Sequence, residues 1–481
     1  MVGAFGTKAP GIAWLGQWFV PIGRLLGSIE FGLLLSIIVA QFGTLALTYR
    51  VGKEFMPDQE LTPLLGAMMV ASAPLFIAMC HQYLAEPLQL FAVTYFYWIA
   101  VRGRYWRRPE VIGHLLFATS LGLASKVTSP LYCFIPGCIA VFDAVKRKES
   151  SNVYATSSFW KSSLFVLAGI AVFGSVVAWY VRNGSALVDF VKLASSSEVA
   201  LDYGRSESFF YKLQYWVGAL QKSVALPAAL LGLAIVFLIA IGIRLVVSDR
   251  WRLLPSRRQS LLIVGAFGHV MLVLTTFSLN INEENRYLLP LLPSLAVIFM
   301  WCLALVKMRA LLMLIGSLLV VQWAYVEARA WGYVPPDGTM SYWVLPIQQS
   351  REAMNELTRI AGLTCTPGTA HRYSITGVEL PWLNANSMSF YAAKWKQENK
   401  VQCHNTSLGY AEKDSTRAWE RLNRLNIAYF ISLEETALPQ PPNFVNQVSL
   451  SILQRIRADR RFVQLPYESK LNIVVFRNNR E

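Results

Sequence analysis

The sequence predicts a polytopic α-helical membrane protein of about ten spans, followed by a C-terminal extracytoplasmic α/β domain. Three observations carry that prediction. Only 15% of the 481 residues are charged and 54% are hydrophobic, with a mean hydropathy of +0.39, whereas roughly a quarter of a soluble chain is charged. Apolar runs able to cross about 30 Å of hydrocarbon recur through the first two thirds of the chain. The basic residues gather in alternate loops between those runs, which is a signal of membrane orientation. The net charge of +15 therefore reflects topology and excludes nucleic acid as its reason. An aromatic content of 13% suits interfacial belts.

Taken in chain order, residues 1–27 hold Trp14, Trp18, Phe19, Leu25 and Leu26 around a few polar residues. They read as a helix lying along a membrane interface. Ten apolar runs follow, at 31–49, 64–80, 87–101, 111–125, 129–145, 162–181, 224–246, 261–279, 288–306 and 310–326. One set of loops carries Arg50 and Lys53; Arg102, Arg104, Arg107 and Arg108; Lys146, Arg147 and Lys148; Arg250, Arg252, Arg257 and Arg258; and Lys307 and Arg309. The intervening loops hold little basic charge, with Lys126 alone in one and Arg286 alone in another. The first set is expected in the cytoplasm, which puts residues 327–481 outside. The same threading starts the chain on the outer face without a visible signal peptide, so one span or more is expected upstream.

The outer loops hold the candidate chemistry. His81, Tyr83 and Glu86 place a carboxylate at the mouth of a span, and Glu283, Glu284, Arg286 and Tyr287 precede a Pro-rich span start. Residues 183–222 read as a long loop with Lys192, Asp202, Tyr203, Arg205, Glu207, Tyr211 and Lys212; loops of that length between spans usually have a task. His114 and His269, inside spans, read as core histidines. In the tail, 347–361 has Ile347, Met354, Leu357 and Ile360 at helical spacing, with Gly362 as the expected C-cap. A stripe of Trp419, Leu422 and Leu425 runs into the strand-like NIAYFISL, and a helix near 450–458 precedes FVQL and LNIVVF. That alternation predicts a small α/β domain, so the chain divides at 1–326 and 327–481. Cys80, Cys133, Cys138 and Cys302 read as small hydrophobes. Cys365 and Cys403 are free to pair in an extracytoplasmic tail. His371, Glu379 and His404 lack the spacing of a metal site.

Four segments resemble the GT-C superfamily of polytopic glycosyltransferases, in the branch holding protein O-mannosyltransferases and the aminoarabinose transferase of lipid A. TKAPGIAWL is similar to the Lys-x-Pro entry to an outer juxtamembrane helix. YLAEPLQLF resembles the segment with an acidic residue at the outer start of a span. LGLASKVTSPLY is similar to the family's Lys-bearing turn, and ENRYLLPLLP to its Arg-Tyr-x-x-Pro entry to a late span. The resemblance implies transfer of a sugar from a polyprenyl-phosphate donor to a lipid, glycan or protein acceptor at the outer face of a bacterial-type inner or plasma membrane.

Such chemistry needs cations for the phosphate leaving group and a carboxylate for the acceptor's proton. By resemblance Lys8 is the phosphate ligand, with Arg286 a second, and Glu86 is the acidic residue assigned to catalysis. His81, Tyr83, Lys126, Tyr203, Arg205, Glu283 and Tyr287 are the candidate substrate contacts. The implied partners are the lipid-linked donor and membrane lipids; no cofactor is assigned, and a divalent metal is compatible. The chain departs from the family in lacking the first span and its acidic catalytic loop, so no residue takes that role. The competing readings are a truncated, non-catalytic relative and a flippase for lipid-linked sugars. No internal repeat is visible and the charges cluster at outer span ends, which favours surface chemistry over transport.

Overall fold

The computed structural model describes residues 9–106, 108–145, 159–196, 200–201, 204–247, 256–304, 306, 308–333, 351–369, 371–409 and 411–479. The chain divides into two compact units, 1–346 and 347–481. The first is helical: α1 (Gly11–Leu25), α2 (Ile29–Phe55), α3 (Leu61–Ser72), α4 (Pro74–Cys80), α5 (Glu86–Arg102), α6 (Arg108–Ser125), α7 (Ser129–Val145), α8 (Phe159–Ser196), α9 (Phe209–Val224), α10 (Pro227–Val247), α11 (Arg257–Ser278), α12 (Leu292–Ala304) and α13 (Arg309–Ala330). A 3-10 turn, Asn285–Leu291, leads into α12.

Each of the ten expected runs falls largely on helix, with 64–80 and 224–246 each crossing a break and 288–306 leaving helix after Ala304. Among the described residues, five helical stretches are long and apolar enough to cross a membrane alone, and up to seven if each of two bent pairs counts as one span. The shorter α5 and α7 have 17 residues each, and α6 has 18 with Arg108 and Glu110 in its first turn. The expected loop at 183–222 is corrected: α8 runs on to Ser196 and α9 begins at Phe209. Leu187 is buried on that extension of α8, and Ser208 caps α9 by accepting from the Tyr211 amide.

The amphipathic first helix is present. In α1, Trp18 and Leu25 are exposed while Gly11, Gly16 and Gly23 are buried. The last allows close approach: a Cβ on Gly23 would stand 2.9 Å from the Cα of Gly32 in α2.

Two helix pairs are broken, α3–α4 by 63° and α9–α10 by 87°. Each second helix begins with proline, Pro74 and Pro227, whose missing N–H costs nothing at a helix start. Backbone groups freed at a break have no water to turn to in hydrocarbon. Gln322 of α13, buried at 3% exposure, serves both breaks. Its Nε2 donates to the carbonyls of Ser72 (2.9 Å) and Val224 (3.1 Å), and its Oε1 accepts from the Leu226 amide (3.0 Å).

The second unit is an α/β domain with helices α14 (Arg351–Thr364), α15 (Ala385–Asn399), α16 (Ser415–Arg424) and α17 (Ser449–Ala458). Its strands are β1 (Tyr373–Thr376), β2 (His404–Ser407), β3 (Ile427–Leu433), β4 (Phe462–Gln464) and β5 (Ile473–Asn478), in the order β2-β1-β3-β5-β4. The first three are parallel and β5 and β4 run antiparallel to their neighbours. All seven residues of β3 are buried, as expected for a central strand covered on both faces. Gly362 is not a C-cap: α14 continues to Thr364, and Gly362 packs under Trp395, where a Cβ would meet the indole at 3.0 Å. Ile347 lies outside the described residues. Cys365 and Cys403 form a disulfide, tying the end of α14 to the residue before β2.

Replacing Gln322 with leucine removes the partners of three backbone groups. A single interhelical hydrogen bond in a membrane averages only about 0.6 kcal/mol, but each orphaned buried group costs about 1–3 kcal/mol. The variant is expected to lose at least about 2 kcal/mol, read by equilibrium unfolding of the full chain in lipid nanodiscs.

Candidate functional site

Three expected outer segments, far apart in sequence, meet at the end of the bundle where α5 begins. Glu86 opens α5, followed by Pro87. A carboxylate there faces the positive end of the helix dipole. Lys126 sits in the turn between α6 and α7, and Arg286 in the 3-10 turn before α12. Lys126 Nζ lies 2.7 Å and Arg286 Nε 3.3 Å from the same Glu86 oxygen, Oε1. Arg286 also donates to Glu284 Oε2, from Nη2 at 2.6 Å and from Nε at 3.1 Å. The two cations alternate with the two carboxylates. Both carboxylates are buried, Glu86 with its side chain 3% exposed and Glu284 with 8%, whereas Lys126 and Arg286 each keep 21% exposure.

Neighbouring groups fix this geometry. The Lys126 ammonium stands over the Tyr287 ring, 3.9 Å from its centroid, a cation–π contact. Tyr132 of α7 donates to the Tyr287 carbonyl at 2.5 Å. Gln89, one helical turn after Glu86, donates to Thr128 (3.2 Å) and Ser129 (3.0 Å), holding the turn that carries Lys126. Sequence reasoning missed Tyr132 and Gln89. The i, i+3 spacing puts Gln89 on the face of Glu86, while Tyr132 becomes legible only once α7 is packed.

The other candidates fall around this network. Tyr83 donates to the Ile12 carbonyl at 2.5 Å, fastening α1 to the loop before α5; burial pushes its phenol up to about 12. His81 meets the Trp331 ring edge-on at 5.9 Å. Gly204 bridges to Asn282, laying the Arg205 segment beside 280–283. Burial raises the pKa of Glu283 despite the opposing influence of Lys212 and Arg205. Arg205 donates to the Tyr211 hydroxyl at 2.9 Å, and the buried Lys212 to the Asn280 carbonyl. Lys8 and Tyr203 lie outside the described residues. His269 is a core residue, its Nδ1 2.7 Å from the Ser294 hydroxyl. His114 Nδ1 lies 2.5 Å from the Tyr95 hydroxyl. Among the described residues no group of three or more His, Cys, Asp and Glu could hold a metal ion.

No family model matches the sequence, and no curated protein matches it. Comparison with solved structures shows a shared fold. The chain is similar to ArnT from Cupriavidus metallidurans in the apo state, with a TM-score of 0.54 and 12% identity over 98% of this chain and 87% of that one. The same protein bound to undecaprenyl phosphate matches with the same TM-score and identity, covering 88% of its own chain.

Removing one member of a buried ion pair leaves an uncompensated charge, at about 3–5 kcal/mol. Glu86→Gln is expected to destabilise the full chain by about 3 kcal/mol or more. Combined with Lys126→Gln, the loss should fall short of the sum of the two single losses. Thermal unfolding of the four proteins in nanodiscs measures that coupling.

In the second unit, burial raises the Glu379 carboxyl to about 7, against an amide from Ala385 at the start of α15 that favours the charged form. The folded pKa exceeds its ordinary value, so this group's contribution is full at low pH and is lost as pH rises from about 4.5 to about 7. Hydrogen exchange in β1 and β3 of the intact protein should quicken across that window, and Glu379→Gln should flatten the response.

Proposed function

We propose that the chain transfers a sugar from a polyprenyl-phosphate-linked donor to a lipid, glycan or protein acceptor at the outer face of the membrane. The observation that carries the reading is the convergence of three motif segments on one ion network, in a fold shared with a protein that binds undecaprenyl phosphate. Lys126 and Arg286 keep an exposed edge beside their internal partners and are the cations that would meet the donor phosphate, with Lys8 a third. A phosphate leaving group gains from donors already in place when its charge develops.

Glu86 fits a positioning role better than proton transfer. Its Oε1 already accepts two cationic partners at the back of the cluster, and a carboxylate so paired holds protons weakly. It would orient Lys126 and Arg286, and the acceptor's proton would pass to another group. Arg205, Glu283 and Tyr287 border the network and would contact the sugar or carrier; His81 and Tyr83 would shape the neighbouring loop. The C-terminal unit is assigned to the extracytoplasmic side. The basic residues of alternate loops support that side, and the Cys365–Cys403 disulfide suits an oxidising compartment.

The test is transfer from radiolabelled polyprenyl-phosphate sugars by the full chain in proteoliposomes, with label followed into lipid, glycan and protein. Lys126→Ala and Arg286→Ala are each expected to reduce transfer by about 10²-fold or more, the scale set by loss of one transition-state donor. Carrier binding without transfer to any acceptor class would favour the non-catalytic reading. A folded protein that does not bind undecaprenyl phosphate would end the glycosyltransferase reading.

A further inference from the structure

At the opposite end of α5 from Glu86, a cavity of about 460 Å³ opens between α2, α5 and the segment leading to α6. It is lined by Arg50, Lys53, Glu54, Trp98, Arg102 and Trp106. Glu54 accepts from Arg102 at 2.6 Å. Arg50 and Lys53 have no hydrogen-bonding or ionic partner among the described residues. Three cations facing one carboxylate leave two positive charges uncompensated inside a concavity. The wall is held in place: the Trp98 and Trp106 rings meet edge-on at 4.7 Å, and Trp106 stacks on His114 at 4.0 Å.

Topology alone asks only for solvated basic residues at this end of the bundle. It does not ask for a cavity walled by two tryptophans. Residues Val39, Phe42, Tyr49, Arg50 and Lys53 are all exposed on α2, at spacings that put them along one side of the helix. An apolar track on the lipid side therefore ends in two unpaired cations at the cavity. That is the order of parts in an anionic lipid, with acyl chain, interface and phosphate in sequence. Basic pockets between spans on the cytoplasmic side bind such headgroups.

We propose that this cavity binds a phosphate group, presented by an anionic phospholipid headgroup or by soluble phosphate, independently of the donor site at the other end of the bundle. The test uses the full chain in neutral detergent, titrated with dioleoylphosphatidylglycerol, dioleoylphosphatidylcholine or inorganic phosphate, with binding read by thermal shift and native mass spectrometry. Phosphatidylglycerol is expected to bind more tightly than phosphatidylcholine, and Arg50→Gln with Lys53→Gln to weaken it by at least about tenfold, two charges being removed near the surface. The swap Arg50→Lys with Lys53→Arg keeps the charges and should keep binding. Lys222→Gln, at the end of α9, controls for loss of charge elsewhere. A response to inorganic phosphate that is lost in the same double variant identifies a soluble ligand; a response to phosphatidylglycerol alone identifies the lipid. If the folded double variant binds as the unaltered protein does, the proposal is overturned.

Discussion

The absence of water inside a bilayer governs the first unit, because every freed backbone group and every charge buried there must find its partner in the protein. Gln322 makes the point at its smallest scale. Two helix breaks, separated by about 150 residues in sequence, share one side chain from a third element. The bends let α4 and α10 leave the axes of α3 and α9, and Gln322 holds one carbonyl at each break, of Ser72 and of Val224. A hydrophobic residue at 322 would pack as well and leave three polar groups without partners.

The ion network follows the same logic with charges. Burying Glu86 by itself would be costly, since the desolvation of an isolated carboxylate far exceeds any packing gain. Two cations from separate turns compensate it, and Glu284 compensates the second of those cations in turn. Because each member depends on the others, the network fixes the relative positions of α5, the α6–α7 turn and the entry to α12. It is therefore a packing device as much as a set of site residues. A phosphate arriving at its exposed edge would compete with carboxylates already in place, which favours a ligand whose charge grows during reaction over one bound strongly at the start.

How much of this was legible in the sequence depends on the range of the interaction concerned. The ten apolar runs are local signals, and each falls largely on helix. Most of the tail's later elements were legible too, since NIAYFISL and LNIVVF carry the continuous apolar runs of buried strands. The error at 183–222 has a local cause. Polar residues such as Asn183 and Asp189 weaken the apolar reading without breaking helical spacing, so hydropathy ended α8 too soon. Gly362 misled for a different reason: a glycine suggests a helix end, but here Trp395 needs the space. Motif resemblance singled out Glu86, Lys126 and Arg286 one by one, but neither their meeting in one network nor their partition into a buried acid and two partly exposed bases was legible. That partition arises from tertiary packing and has no period in the sequence.

The two ends of the bundle handle charge in opposite ways, and this gives the net charge of +15 a structural meaning. At the Glu86 end, two cations and two carboxylates alternate and sum to zero. At the Arg102 end, Glu54 offsets one of three cations lining a cavity, and Arg50 and Lys53 remain in surplus. Orientation requires only that the second end be the more basic. Compensation at the first end is a separate requirement, because a cluster that presents half-buried cations without internal acids would carry an unpaired charge whenever no ligand was bound. The composition that announces a membrane protein thus divides into a neutral, interlocked network at one end and an open basic surface at the other. Each is suited to anions in a different way: one by donors held in place until charge develops, the other by standing positive charge.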